Sequence, residues 1–302
     1  MAEYKANTVR DGKGGTINFP FFIFQADMDL IEKEFVVQDE DVYVVTFPRS
    51  GTTWTEQIVH LLVNNGEQGD KRLTDAVPWV ETLPHRPNGI QEFLNAMHGR
   101  RLFTSHLPLQ LMPRAKDTTA KYVYVARNPK DVATSFYYHD QSKTGYEGSW
   151  AEHFQLFMNG DLTFGSYFDH VLPWWEASQH DQNILFLKYE DMKNNLAENV
   201  AKIAAFLNIQ ADSQLIDRVV LSSSFRSMAS GPNTNFDWIP QRAGVPSHFR
   251  KGDIGDWRNQ FTEEQSQQLD AVFMEKMQGT GLRFDFGDDV ILPNSRYPQS
   301  PR

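Results

Sequence analysis

The sequence contains no cysteine. Disulfides and thiolate metal sites are thereby excluded, and composition carries no sign of the redox compartment. Long apolar runs are missing too: no stretch reaches the ~20 residues a membrane helix needs, and the N-terminus lacks the apolar core of a secretory signal. These absences lead us to expect a soluble, cytoplasmic protein. Positive charge is in deficit, with 29 Lys and Arg against 39 Asp and Glu and a formal net charge of −10. Nucleic-acid backbones and anionic membranes both reward net positive surface, so neither is expected as a partner. Any anionic ligand must be gripped by a local cluster, which makes the placement of the basic residues more informative than their number.

What is present suits a large globular core: 40% of the 302 residues are hydrophobic and 13% aromatic, with no repeat and no low-complexity tract. Length alone would suggest about two domains. Asp41–Phe47 reads as a β-rich strand, then comes a short loop, then Trp54–Val63 with helical spacing. The same grammar returns at Lys121–Ala126, followed by Arg127–Asp131 and a helix from near Val132, and again at Asn183–Lys188, followed by Tyr189–Met192 and an amphipathic helix to about Leu207. Strands alternating with helices predict an α/β fold, a parallel sheet wound with helices on both faces around a P-loop-like nucleotide-binding core. Ligands of such sheets sit beyond the carboxyl ends of the strands, where all three loops lie. A boundary between them would split the site, so residues 1–302 are expected to form one domain. Residues 1–16, with Gly12, Gly14 and Gly15, and 290–302, rich in proline, read as poorly ordered ends.

The first loop, Pro48-Arg-Ser-Gly-Thr-Thr-Trp54, offers a glycine at a tight turn, successive backbone N–H groups, three hydroxyls and a cation at a helix start. That is an anion cradle. It lacks the G-x-x-x-x-G-K-[ST] spacing of nucleoside triphosphatases, which argues against a Mg-dependent ATPase or a mononucleotide kinase. Ser or Thr before an apolar helix also reads as a plain N-cap, and the loop in isolation leaves both readings open.

Further segments favour the cradle. Thr46-Phe-Pro-Arg-Ser-Gly-Thr-Thr-Trp54 resembles the 5′-phosphosulfate loop of the cytosolic sulfotransferases, which use 3′-phosphoadenylyl sulfate (PAPS) as donor. Phe103-Thr-Ser-His-Leu-Pro108 resembles their catalytic-histidine segment, and Tyr124–Ser135 their 3′-phosphate segment. Lys188-Tyr-Glu-Asp-Met192 is similar to a strand-end motif of the family, and Phe249-Arg-Lys-Gly-Asp-Ile-Gly-Asp-Trp257 to its C-terminal nucleotide loop.

The resemblance implies in-line transfer of a sulfuryl group from PAPS to a hydroxyl or amine of a small, largely apolar acceptor, with 3′-phosphoadenosine 5′-phosphate (PAP) as product and no metal. Arg49, Ser50, Gly51, Thr52, Thr53 and Trp54 would surround the 5′-phosphosulfate, with Trp54 stacked on adenine. Arg127 and Ser135, together with Arg250, Lys251 and Gly252, would hold the 3′-phosphate. Tyr189, Ser223, Phe225 and Met228 would line the nucleotide. His106 would be the general base, and Phe21, Trp79, Tyr138 and His139 would join it around the acceptor.

Elementary chemistry agrees with these roles. Arg49, Arg127, Arg250 and Lys251 can balance a donor that carries about four negative charges while the remaining surface stays acidic. An imidazole near neutral pKa can accept the proton of an attacking hydroxyl. For Trp54, Phe225 and the Phe19–Phe22 run, core packing is the alternative reading. Three positions depart from the family pattern: Arg49 and Thr104 stand where lysines are usual, and only Thr262 survives of the dimer motif spanning Arg258 to Gln267. The first two motivate an alternative, a PAPS- or PAP-binding sensor or scaffold with little turnover. The third leaves oligomeric state open.

Overall fold

Ala6–Arg10 (β1) and Thr16–Pro20 (β2) pair as an antiparallel hairpin, which corrects the expectation that residues 1–16 are poorly ordered. Gly12 and Gly14 adopt positive φ within the turn, so glycines that suggested looseness are the residues that let the chain reverse. Val9 and Phe19 are buried, and Tyr4 ties the segment to distant elements by hydrogen bonds to Asp140 Oδ2 (3.1 Å) and from the Thr163 N–H (3.3 Å). The computed structural model describes residues 2–115, 117–239 and 248–287, so the expectation for residues 290–302 lies outside the described residues.

Beyond the hairpin follow α1 (Gln25–Glu34), β3 (Val42–Thr46), α2 (Thr52–Val63), α3 (Leu73–Ala76), α4 (Gly89–Asn95), β4 (Leu102–Ser105) and β5 (Lys121–Ala126). The second half contains α5 (Pro129–Lys143), α6 (Trp150–Asn159), α7 (Tyr167–Ser178), β6 (Ile184–Lys188), α8 (Tyr189–Asn194), α9 (Leu196–Phe206), α10 (Ser213–Ser222), α11 (Phe225–Ser230) and α12 (Glu263–Met277). Strands β3 to β6 form one parallel sheet in the order β4-β3-β5-β6. All five β3 residues are buried, as a strand covered on both faces requires.

Alternation along β3 divides the core. Tyr43 and Val45 face the layer that includes α5, α6 and α7, while Val42 and Val44 face α2, α9 and α10. On the first face Tyr43 stacks on Tyr122 at 4.9 Å, and Tyr124 stacks on Trp174 at 5.2 Å, so Trp174 belongs to the core. The expected α/β architecture is therefore present, with helices on both faces of a parallel sheet. Among the described residues no helix is long and apolar enough to cross a membrane. The carboxyl ends of β3, β4, β5 and β6 deliver Phe47, His106, Arg127 and Tyr189 to the same end of the sheet.

Candidate active site

At the end of β3 the chain turns sharply into α2. Arg49 adopts φ 69° and Gly51 φ 104°, both left-handed, a conformation that disfavours a side chain at Arg49 and suits glycine at 51. A Cβ on Gly51 would lie 2.8 Å from the Tyr189 ring, so the turn and its close approach both require glycine. The N-cap of α2 is Gly51 itself, and no side chain caps the helix. The simple capping reading of Ser50, Thr52 and Thr53 thus fails, and the first N–H groups of α2 are not occupied by a cap.

The 3′ side is assembled from two distant segments. Arg127 reaches from the end of β5, donates from Nη2 to the Asp253 carbonyl at 2.8 Å, and lies 4.4 Å over the Tyr189 ring. Tyr189 in turn donates to the Gly252 carbonyl at 2.8 Å. Arg250 and Lys251 both pair with Asp256, and Arg250 also stacks on Tyr138 at 4.4 Å. Arg49 donates from Nε to Ser135 Oγ at 3.1 Å, which joins the 5′ loop to the second turn of α5. Burial first, then the charges of Arg127 and Arg250, lower the Arg49 pKa to about 10; it remains a cation at neutral pH. Three guanidinium groups that repel one another in this way form a site built to receive negative charge.

Arg49, Arg127, Ser135, Tyr189, Arg250 and Lys251 line one cleft that opens to solvent. Of the fifteen residues expected around the donor, thirteen lie on its walls, Trp54, Phe225 and Met228 among them. Ser50 and Ser223 do not: both are buried, and the Ser223 hydroxyl donates to the Val219 carbonyl at 2.7 Å. The cleft also includes Lys193, His248, Phe249, Asp253 and Asp256, to which the sequence reading gave no role. All five flank or lie inside quoted motifs, Lys193 directly after Met192, so adjacency was the available signal.

His106 follows β4 and is held from several sides. Its Nδ1 lies 2.9 Å from the Thr46 carbonyl, so Nδ1 carries the proton and Nε2 keeps the lone pair. The backbone N–H donates to Glu81 Oε1 at 2.7 Å, and the carbonyl accepts from His170 Nε2 at 2.9 Å. His170 Nδ1 accepts from the Tyr124 hydroxyl at 2.8 Å. Burial lowers the His106 pKa to about 4, the Thr46 carbonyl opposes this, and Arg49 adds to it. Thr46 Oγ1 lies 2.6 Å from Thr52 Oγ1 and 3.3 Å from His106 Nδ1, a direct chain from the donor cleft to the imidazole.

On the acceptor side, Trp79 packs against the His106 ring at 5.6 Å and Phe22 packs on Trp79 at 6.0 Å. Phe21 touches this group only through Phe22 and is 47% exposed. Tyr138 and His139 come from α5; His139 Nδ1 lies 3.3 Å from Arg49 Nη1. Thr104, where a lysine was the family pattern, is buried in the sheet and donates to the Val44 carbonyl at 3.3 Å.

The family of the sulfotransferase domain matches residues 39–281 of the chain. Rat sulfotransferase 1C2 is 37% identical over 83% of this chain and 87% of its own length, and mouse sulfotransferase 1B1 is 38% identical over 87% and 91%. A retinol dehydratase solved with retinol and PAP superposes with a TM-score of 0.79 at 27% identity, covering 90% of each chain. A mouse sulfotransferase solved with PAP gives a TM-score of 0.71 at 29% identity, covering 88% of this chain and 94% of that one. Agreement at this level over most of both chains, on top of a cationic cleft beside a half-buried imidazole, makes this chain a member of the sulfotransferase family.

Proposed function

We propose that this sulfotransferase takes PAPS as donor and passes its sulfuryl group in line to a hydroxyl or amine of a small, largely apolar acceptor, releasing PAP. The acceptor oxygen or nitrogen forms the new bond to sulfur, the bridging sulfur–oxygen bond breaks with its electron pair leaving on PAP, and His106 Nε2 takes the acceptor proton. The observation that supports this reading is the orientation of His106: Nδ1–H is committed to the Thr46 carbonyl, which leaves Nε2 unprotonated as the base, and Thr46 Oγ1 links the imidazole to Thr52 of the donor loop. Arg49 and the N–H groups at the start of α2 would stabilise the departing phosphate, and no step calls for a metal.

The donor contacts expected from the sequence remain part of this proposal. Trp54 and Phe225 would close on adenine with Tyr189 and Met228, while Arg127, Ser135, Arg250, Lys251 and Gly252 would hold the 3′-phosphate. Ser50 and Ser223 would act from behind the wall, by shaping the turn and the end of α10. Phe22 and Trp79 give the acceptor an apolar approach to His106, and Tyr138 and His139 a polar one. A single domain over residues 1–302 and a cytoplasmic location belong to the same proposal; fractionation of expressing cells tests the location.

Isotopically labelled PAPS incubated with a panel of phenols, alcohols and amines tests the activity, with thermal melts in PAP and in AMP run alongside. Label should appear in at least one acceptor class. PAP at ~100 times its Kd should stabilise the fold by about 2.7 kcal/mol, and AMP by much less. Equal shifts with PAP and AMP would remove the 3′-phosphate assignment. A PAP-specific shift with no labelled product would leave a nucleotide-binding protein without turnover.

A further inference from the structure

The loop between α6 and α7 places a residue of unfavourable conformation beside the His106 ring. Phe164 has φ 69°, in the left-handed region that a bulky side chain disfavours, and it is only 3% exposed. Asn65 and Asn208 share that region, but asparagine tolerates it, and each of them follows the end of a helix. Strain of this kind persists only where surrounding contacts impose it, and it concentrates at functional sites.

The contacts that impose it come from the N-terminal hairpin. Asn18 of β2 grips the loop at both ends: its side-chain amide donates to the Asp161 carbonyl at 2.7 Å, and its main-chain carbonyl accepts the Phe164 N–H at 2.6 Å. Between these two ties the Thr163 N–H donates to the Tyr4 hydroxyl at 3.3 Å. Phe19, fully buried, packs its ring 4.9 Å from that of Phe164. The β1–β2 pairing sets Asn18 opposite Thr8, so the grip is part of the hairpin's own register.

The imidazole needs such a support. Glu81 and His170 bind the backbone N–H and carbonyl of His106, which leaves the ring free to turn about Cβ–Cγ, a torsion with broad intrinsic preferences. Thr46 meets the ring at Nδ1 alone, with its carbonyl at 2.9 Å and its hydroxyl at 3.3 Å. Packing supplies the rest of the hold. His106, Phe164 and Trp79 form a closed triangle of rings, with centroids 5.3 Å apart for His106 and Phe164, 5.6 Å for His106 and Trp79, and 6.2 Å for Trp79 and Phe164. We infer that Asn18 and Phe164 are positioning residues for sulfuryl transfer: the hairpin sets Phe164 in place, and the Phe164 ring holds the imidazole in the orientation that keeps Nδ1–H on Thr46 and leaves Nε2 as the base.

The inference rests on His106 acting as the base, so its test includes a readout that needs no turnover. Wild type, Asn18→Asp, Phe164→Leu and the double variant are given labelled PAPS and para-cresol, a phenol still protonated at neutral pH. Asn18→Asp keeps the size of the side chain but sets a carboxylate against the Asp161 carbonyl. The tautomer of His106 is read in parallel by nitrogen NMR of histidine-labelled protein with PAP bound, its signal assigned by its loss in His106→Ala. Wild type should show the Nδ1–H form alone, and each single variant a mixture of tautomers, because the hydrogen bond at one nitrogen is what selects the form. In each, kcat should fall at least ~10-fold, toward the ~10²-fold cost of a misplaced reacting group, with the KM for para-cresol and the affinity for PAP within a few-fold of wild type. The double variant should lose no more than the worse single one, as residues acting in series do. Either single variant with an unchanged tautomer overturns the inference whatever its kcat, and so does a mixed tautomer with wild-type kcat. A raised KM with kcat and tautomer intact would make Phe164 a wall of the acceptor's path only, and losses that multiply in the double variant would sever Asn18 from Phe164; both overturn it. Should Phe164→Leu not fold, Asn18→Asp, at a half-buried hairpin position, decides by the same two readouts. If no protein turns over para-cresol, NMR decides alone: a mixture in the variants against pure Nδ1–H in wild type upholds the positioning and counts against transfer, whereas one tautomer state in all of them overturns it.

Discussion

An imidazole that serves as a base must be neutral before it acts, and His106, with its pKa lowered to about 4, is neutral over the whole physiological range. The acid limb of kcat/KM for the donor, which reports the free enzyme, should therefore fall near pH 4 and not near the ordinary imidazole value of about 6.5. In the donor complex the limb should move upward, because the added negative charge offsets Arg49. Glu81 provides the internal control. Burial raises its pKa to about 7 although it accepts the His106 N–H, so a limb centred near pH 7 would transfer control of the rate to Glu81. His106→Ala should lower turnover by ~10²–10⁴-fold and leave PAP affinity nearly intact; a collapse in PAP affinity would place the imidazole at the nucleotide. His106 was legible in the sequence through its motif. Its supports, Glu81 and His170, were not, because 25 and 64 residues separate them from it and nothing local marks a residue that binds a distant backbone atom.

The first turn of α5 organises the C-terminal nucleotide loop. Asn128 caps the helix by accepting the Asp131 N–H at 2.9 Å, and Asp131 accepts the N–H groups of Gly255 at 2.8 Å and Trp257 at 3.0 Å. Lys130, buried, bonds Ser266 at 2.6 Å and Asp270 at 2.7 Å and lies 4.3 Å over the Trp257 ring, which fastens α12 to the same turn. Asp131→Ala should cost about 2–4 kcal/mol in urea unfolding, because the buried Trp257 N–H and the half-buried Gly255 N–H lose their acceptor. It should also weaken PAP at least tenfold by releasing the segment that carries Arg250, Lys251 and Gly252. Reduced stability with PAP affinity unchanged would show that this segment keeps its geometry without the staple. Pattern reading located β3, β5 and β6 to within a residue or two, since each is a β-branched or aromatic run that ends at a loop. It passed over β4, four residues with no alternation to distinguish them, and it read the β1–β2 hairpin as loose because glycine-rich turns and disordered ends share a composition. The helix of residues 129–143 was predicted from near Val132 and begins at Pro129, where a proline at the first position needs no N–H partner. Contacts between residues 131 and 257 leave no mark in a local window.

Across the whole molecule, the one assembly signal in the sequence has a local explanation. Thr262, the survivor of the dimer motif, caps α12 by accepting the Gln265 N–H at 3.2 Å, which accounts for a threonine there without a partner chain. The larger consequence at this scale is acid stability, because burial shifts opposite kinds of groups in opposite senses. His106 and His170 are lowered to about 4 and 3, with His139 and His248 lowered as well, while Glu56, Glu81 and Glu190 are raised to about 7. Below about pH 6.5 the unfolded chain takes up protons on imidazoles that the fold keeps neutral, so these groups make stability fall as pH falls. Between about pH 7 and 4.5 the folded chain holds protons on carboxyl groups that the unfolded chain has released, so these groups make stability rise as pH falls. The two effects oppose each other from pH 6.5 to about 4.5. Below 4.5 both states protonate the carboxyl groups, and only the imidazole effect remains. Thermal melts of the nucleotide-free protein should therefore show a nearly flat Tm from about pH 6.5 to 4.5 and a steep drop below it. A Tm that declines steadily from pH 6.5 would mean that the glutamates are ionised inside the fold at neutral pH, and that the burial argument for Glu81 beside His106 is wrong.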